Sequence, residues 1–149
     1  MTLAQATYPT QVRLRRRVAV YVERGSDLLV FEHRDQPDAG TQIPAGGLQR
    51  DEEPEAGVFR DVFEETGLRL SAPPSLLGTH DHPDGLGRPS RTYFFTVDAP
   101  VDAPDAWEHQ VTGEGDDNDL VFLCRFDPAP TLWPVQAIYR PGCKLRSVE

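Results

Sequence analysis

Gly46-Gly47-Leu48-Gln49-Arg50-Asp51-Glu52, followed after seven residues by Arg60-Asp61-Val62-Phe63-Glu64-Glu65-Thr66-Gly67-Leu68, gathers carboxylates where helix physics disfavours them. From Pro54 to Thr66 the apolar residues Val58, Phe59, Val62 and Phe63 recur at i, i+3, i+4 spacing, which predicts a helix with these four as its buried stripe. Asp61, Glu64 and Glu65 then fall on the opposite face. Residues three and four apart are neighbours on a helix surface, so Asp61 repels both glutamates by about 0.2–0.5 kcal/mol per pair. Gly67 is the expected left-handed cap, which places Glu64 and Glu65 at the negative end of the helix dipole, where cations are preferred. Carboxylates held against both rules point to a site for a hard divalent cation, Mg²⁺ or Mn²⁺. A solvated acidic face is the plain alternative.

The neighbouring residues favour the cation. Arg60 stands four residues before Glu64 and can pair with it. Ile43-Pro44-Ala45-Gly46-Gly47 supplies a small-residue loop in which backbone can approach a ligand closely. Together the loop and the helix resemble the Nudix box, Gly-x5-Glu-x7-Arg-Glu-apolar-x-Glu-Glu-x-Gly-apolar, from Gly46 to Leu68, or 23 of 149 residues. Asp61 stands where that pattern has Glu and reaches one methylene less far. Glu53, before Pro54, is a poor helix cap, so the helix start is expected to be weak.

The resemblance implies an α/β/α sandwich around a mixed β-sheet with one catalytic helix. It also implies a hydrolase that cleaves a diphosphate in a nucleoside diphosphate-linked or related substrate. Asp61, Glu64, Glu65 and the Gly46 backbone would hold the metal, and Arg60 would orient the carboxylates. Gly47, His33 and Arg34 would lie near substrate. The general base is open: Glu64 or Glu65 in the helix, or Glu114 or Asp116 in the acidic stretch that also holds Asp117 and Asp119, with Glu108 and His109 as competitors. A solvated turn is the plain reading of that stretch. A Nudix-like module that binds a nucleotide without hydrolysing it is the alternative of another class, and the nearly complete acidic set argues against it.

At 149 residues the chain fits one domain, with residues 1–10 expected to be a loose terminus. A 38% hydrophobic and 26% charged composition with 14 Pro and 12 Gly reads as a globular, loop-rich protein. No apolar run reaches about 18 residues and no signal-peptide core is present, so a cytoplasmic protein without membrane partners is expected. Cys124 and Cys143 then read as reduced structural thiols. A net charge of −9 argues against binding long nucleic acid, but a small phosphorylated ligand can be bridged to carboxylates by a divalent cation. The one basic cluster, Arg13, Arg15, Arg16 and Arg17, reads as decoration of an early, partly exposed strand rather than as a phosphate site, with contact between an edge-strand arginine and a ligand as the alternative.

Strands are predicted at Val12–Val22 and Leu28–Glu32, forming a hairpin, and then at Leu76–His80, Arg91–Val97, Trp107–Thr112 and Leu120–Phe126. His80-Asp81-His82 reads as loop rather than as a metal site, and Trp107 and Trp133 as anchors. A short helix at Pro134–Tyr139 is supported more by the resemblance than by the residues, since Pro134 interrupts any earlier start. Many members of the family dimerise, which leaves a homodimer compatible with the resemblance, though no long apolar edge announces an interface.

Overall fold

The structure, a computed structural model, describes residues 13–113 and 119–128. These form a mixed sheet with one helix against one face. The strands are β1 (Arg15–Arg24), β2 (Asp27–His33), β3 (Ala45–Gly47), β4 (Ser75–Pro83), β5 (Pro89–Asp98), β6 (Ala106–Gln110) and β7 (Val121–Pro128), and the helix α1 is Pro54–Thr66. The main sheet runs β4-β5-β1-β2-β7-β6, with β1 and β5 parallel and the other neighbours antiparallel.

The predicted hairpin is present. Glu23 pairs with Leu28 and Arg24 with Asp27, and Gly25 takes the positive φ of 61° that the first position of a two-residue turn requires. Beyond that turn β1 and β2 part, and residues 42–47 enter the gap. Phe31 and Gln42 exchange backbone hydrogen bonds, the Val20 amide donates to the Pro44 carbonyl, and β3 pairs with Arg17–Ala19 of β1. The small residues expected as loop are therefore partly strand, which fastens them to the centre of the sheet. The same topology removes the edge-strand alternative for the arginine cluster: β1 lies between β5 and the β2/β3 side and is no edge. His80 and His82 also lie on a strand, β4, rather than in a loop, with their rings stacked at 5.4 Å.

The core lies on both faces. Val18, Val20, Val22, Leu29, Phe31, Phe95 and Phe122 pack with Val58 and Val62 of α1, while Ala19, Tyr21, Leu28, Val30 and Phe94 point to the other side. Cys124 is buried in the first cluster, and burial pushes its thiol up to about 12, so it stays an inert core group. Cys143, Trp133 and the helix expected at 134–139 lie outside the described residues, as do Glu114, Asp116 and Asp117.

The helix bounds agree with the sequence reading, but its buried face does not. The buried residues are Gly57, Val58, Asp61, Val62 and Thr66, whereas Phe59 is 37% exposed and Phe63 lies under the Arg69 guanidinium at 4.4 Å. The helix is turned by about one residue, which brings Asp61 inward at 4% exposed. Glu53 makes no side-chain cap, as its identity implied, and Gly67 closes the helix at φ 79° with its amide on the Phe63 carbonyl at 2.8 Å.

The last turn is also held from β6 and the residues just after it. Trp107 Nε1 donates to the Thr66 carbonyl at 2.7 Å and the Thr112 amide to the Glu64 carbonyl at 3.1 Å. His109 Nε2 lies 3.1 Å from the same Glu64 oxygen, and since a carbonyl only accepts, that nitrogen carries a hydrogen. These donors satisfy carbonyls that a helix end leaves open. Trp107→Phe should cost about 1 kcal/mol for the lost hydrogen bond, beyond any loss of packing. Urea unfolding with an unchanged midpoint would remove this anchoring role.

Candidate active site

One guanidinium organises the acidic face. Arg60 Nε donates to Glu52 Oε2 at 2.8 Å and its Nη2 to Glu52 Oε1 at 2.7 Å, a two-pronged pair, and Nη2 also reaches the Gly47 carbonyl at 3.0 Å. Its Nη1 stands 3.0 Å from Asp61 Oδ1 and 3.3 Å from Glu64 Oε1. The predicted pairing of Arg60 with Glu64 is thus one of several. Glu52 is the residue that sequence reasoning left without a role. It accepts the Gln49 amide at 2.8 Å as well as Arg60, which holds its carboxyl below the usual range, and so it ties the loop to the helix. Its signal in the sequence was its place as a fixed acid of the motif, eight residues before Arg60. Arg16 adds a second staple, from β1 to the Gln49 and Glu52 carbonyls at 3.2 and 3.0 Å.

Asp61 is the unusual group. Its Oδ2 is buried and has no hydrogen-bond partner among the described residues, and burial pushes its carboxyl up to about 7 although Arg60 pulls the other way. A Cβ placed on Gly46 would stand 2.7 Å from Asp61 Oδ2 and 2.9 Å from Oδ1. Only a glycine leaves that carboxylate its place. Gly113 does the same for Glu64: a Cβ there would come within 2.5–2.8 Å of the carboxylate, at a φ of 106°. No pattern in the sequence marked Gly113. Glu65 Oε1 accepts the Ala45 amide at 3.0 Å and so joins α1 to β3.

The structure thus brings Gly46, Gly47, Arg60, Asp61 and Glu64 together, with Glu65 of the same helix hydrogen-bonded to the adjoining strand β3. His33 and Arg34 sit elsewhere. The His33 ring packs on Phe122 at 4.6 Å, and Arg34 pairs with Asp35 at 3.3 Å and approaches Glu108 at 3.8 Å. Among the described residues neither hydrogen-bonds to the helix carboxylates. Glu108 is 62% exposed and faces Arg34, while the neighbouring His109 is spent on the helix end.

A hard cation fits this donor set. An orphaned buried carboxylate oxygen, a second carboxylate beside it and a glycine cradle supply oxygen ligands without steric obstruction. Among the described residues no three acidic, histidine or cysteine side chains are grouped so that they could hold a metal ion by themselves, so backbone oxygen and water would have to complete the shell. An open, all-oxygen set suits an ion that keeps part of its water shell, as Mg²⁺ does.

The NUDIX domain family model matches residues 13–139. An RNA pyrophosphohydrolase of Roseobacter denitrificans is 28% identical over 104 residues, covering 69% of this chain and 56% of that protein. Diphosphoinositol polyphosphate phosphohydrolase 3-alpha of Mus musculus is 30% identical over 90 residues, covering 60% and 52%. The chain spans about half the length of these curated relatives. Among solved structures, the MutT NUDIX hydrolase of Burkholderia pseudomallei superposes with a TM-score of 0.57 at 22% identity, over 78% of this chain and 84% of that one, a likeness of fold.

Proposed function

The chain belongs to the Nudix family, and on that premise we propose that it is a diphosphohydrolase acting on a small phosphorylated substrate, a nucleotide derivative or a related compound. The observation that carries this reading is the buried, partnerless Oδ2 of Asp61, cradled by Gly46 beside the Arg60-bound Glu64. A fold without catalytic or binding use for that oxygen would leave a desolvated acceptor uncompensated, at about 1–3 kcal/mol. The names of the two relatives each join hydrolysis to a diphosphate-bearing molecule, which agrees with this class.

Asp61, Glu64, Glu65 and the Gly46 carbonyl would hold Mg²⁺ or Mn²⁺. Bound there, the cation would neutralise phosphate oxygens and lower the pKa of the attacking water. Arg60 and Glu52 keep the carboxylates aligned, so that little reorganisation is needed when substrate enters. In the overall reaction a P–O bond to water forms as the bridging P–O bond breaks. One water proton passes to a carboxylate, for which Glu64 and Glu65 are the described candidates and Glu114 and Asp116 the others. Gly47 lies within reach of the same phosphates, and His33 and Arg34 would serve a more distant part of the substrate. One catalytic domain, working in the cytoplasm, is the setting we propose. Among the described residues no helix is long and apolar enough to cross a membrane.

The test is a panel of diphosphate compounds assayed with Mg²⁺ and Mn²⁺ for released phosphate and pyrophosphate, using wild type and Glu64→Gln. Turnover in the wild type should fall by roughly a hundredfold or more in the variant, because a metal charge and a proton acceptor are lost without change of size. Metal-dependent binding without turnover would instead identify a nucleotide-binding module, and equal rates in both proteins would release Glu64 from the chemistry.

A further inference from the structure

A cavity of 1110 Å³ opens on the outer side of the loop that carries Gly47 and Glu52. Its wall gathers Arg13, Arg15, Arg16, Arg50 and Arg88, in a chain whose net charge is −9. Of its three acids among the described residues, Glu52 is already neutralised by the paired Arg60, and Asp51 and Glu53 are exposed. Arg16 is spent on the loop carbonyls, and Arg15 and Arg88 share Asp84 at 3.6 and 2.8 Å. Arg13 and Arg50 pair with no carboxylate among the described residues. Guanidinium groups brought together without matching acids repel one another, and phosphate oxygens are the ligands that their planar donor forks fit.

The remaining wall narrows the class. Among the described residues Leu14 and Leu48 are its apolar members and no aromatic ring lines it, so these residues offer no platform on which a nucleobase could stack. Its volume exceeds that of a pocket for one phosphate and is at the upper end for drug-sized ligands. It also adjoins the proposed reaction centre. Gly47 and Glu52 line the cavity, and both are hydrogen-bonded to the same guanidinium that holds Asp61 and Glu64. We propose that this arginine-lined cavity binds further phosphate groups of the substrate, which is therefore a compact small molecule carrying several phosphates beyond the diphosphate that is cleaved. The position of the cleaved bond rests on the function proposed above; the anion site does not.

Inositol hexakisphosphate, a compact polyphosphate without an anhydride to hydrolyse, is a direct probe. Isothermal titration with Mg²⁺ present should show it binding to wild type and to Glu64→Gln alike, and binding roughly tenfold or more weakly to the Arg13→Ala/Arg50→Ala double variant, since charge-assisted hydrogen bonds are lost. Both substitutions are at the surface, and unchanged melting temperatures would certify the fold. Equal affinity in wild type and the double variant, no binding by wild type, or loss of binding in Glu64→Gln alone would each overturn the proposal. A 5′-triphosphorylated oligoribonucleotide that binds more tightly than the hexakisphosphate, and than its 5′-hydroxyl counterpart, would overturn the substrate class in favour of RNA ends. Hexakisphosphate binding by a protein that hydrolyses nothing on the panel would uphold the anion site and remove the hydrolase reading.

Discussion

Gly46→Ala should lower metal-dependent turnover by roughly a hundredfold or more while leaving a folded protein, because the added methyl group meets the Asp61 carboxylate. All three carboxyl atoms lie within 2.9 Å of the new Cβ, closer than real contacts allow. The far end of a flexible surface side chain would swing aside. Asp61 cannot, since it is 4% exposed and is flanked along its helix by the buried Val58 and Val62. The cost of overpacking such a site is about 1–3 kcal/mol, so the melting temperature should fall as well. Gly47→Ala is the control for backbone effects: nothing lies within 4 Å of its new Cβ, and it should melt as wild type does. A Gly46→Ala enzyme with wild-type rate and stability would show that Asp61 yields freely, and the cradle would lose its meaning.

Asp61→Asn should separate stability from activity in opposite directions. Turnover should drop by roughly a hundredfold or more with the loss of the buried anionic ligand, yet the metal-free protein should become more stable at neutral pH. The folded state raises the Asp61 pKa from 3.8 to about 7, so between those values the native chain binds a proton that the unfolded chain has released. Stability from this group is therefore greatest below about pH 4 and falls as pH rises to about 7, by about 1.4 kcal/mol per unit at most, then levels off. Glu52, held below its usual range by Arg60, works in the opposite sense at lower pH, and so the informative quantity is the difference between wild type and variant. Urea unfolding in EDTA across pH 4 to 8 should show the variant's advantage growing toward neutrality. A constant difference would mean that Asp61 is ionised throughout or that the unfolded chain keeps it buried too.

The sequence by itself determined the helix at Pro54–Thr66, the lack of a side-chain cap at Glu53, its stop at Gly67, the hairpin around Gly25 and the spacing of the acids. These depend on backbone torsions and near neighbours, which are local and carried by residue identity. Which face of the helix is covered is not local. The i, i+3, i+4 spacing named Val58, Phe59, Val62 and Phe63 alike, and it is in the folded chain that Val58 and Val62 meet the sheet, Asp61 faces Gly46 of β3 and Phe59 is left at the surface. The same holds for contacts between distant segments. Glu52 reaches Arg60 through a folded loop, Gly113 meets Glu64 across 49 positions, and Arg15 and Arg16 of β1 line one cavity with Arg50 and Arg88. Residue types told which groups could bind a cation or a phosphate; the tertiary structure decided which of them are desolvated and held together, and burial is what turns an ordinary aspartate into one that titrates near 7.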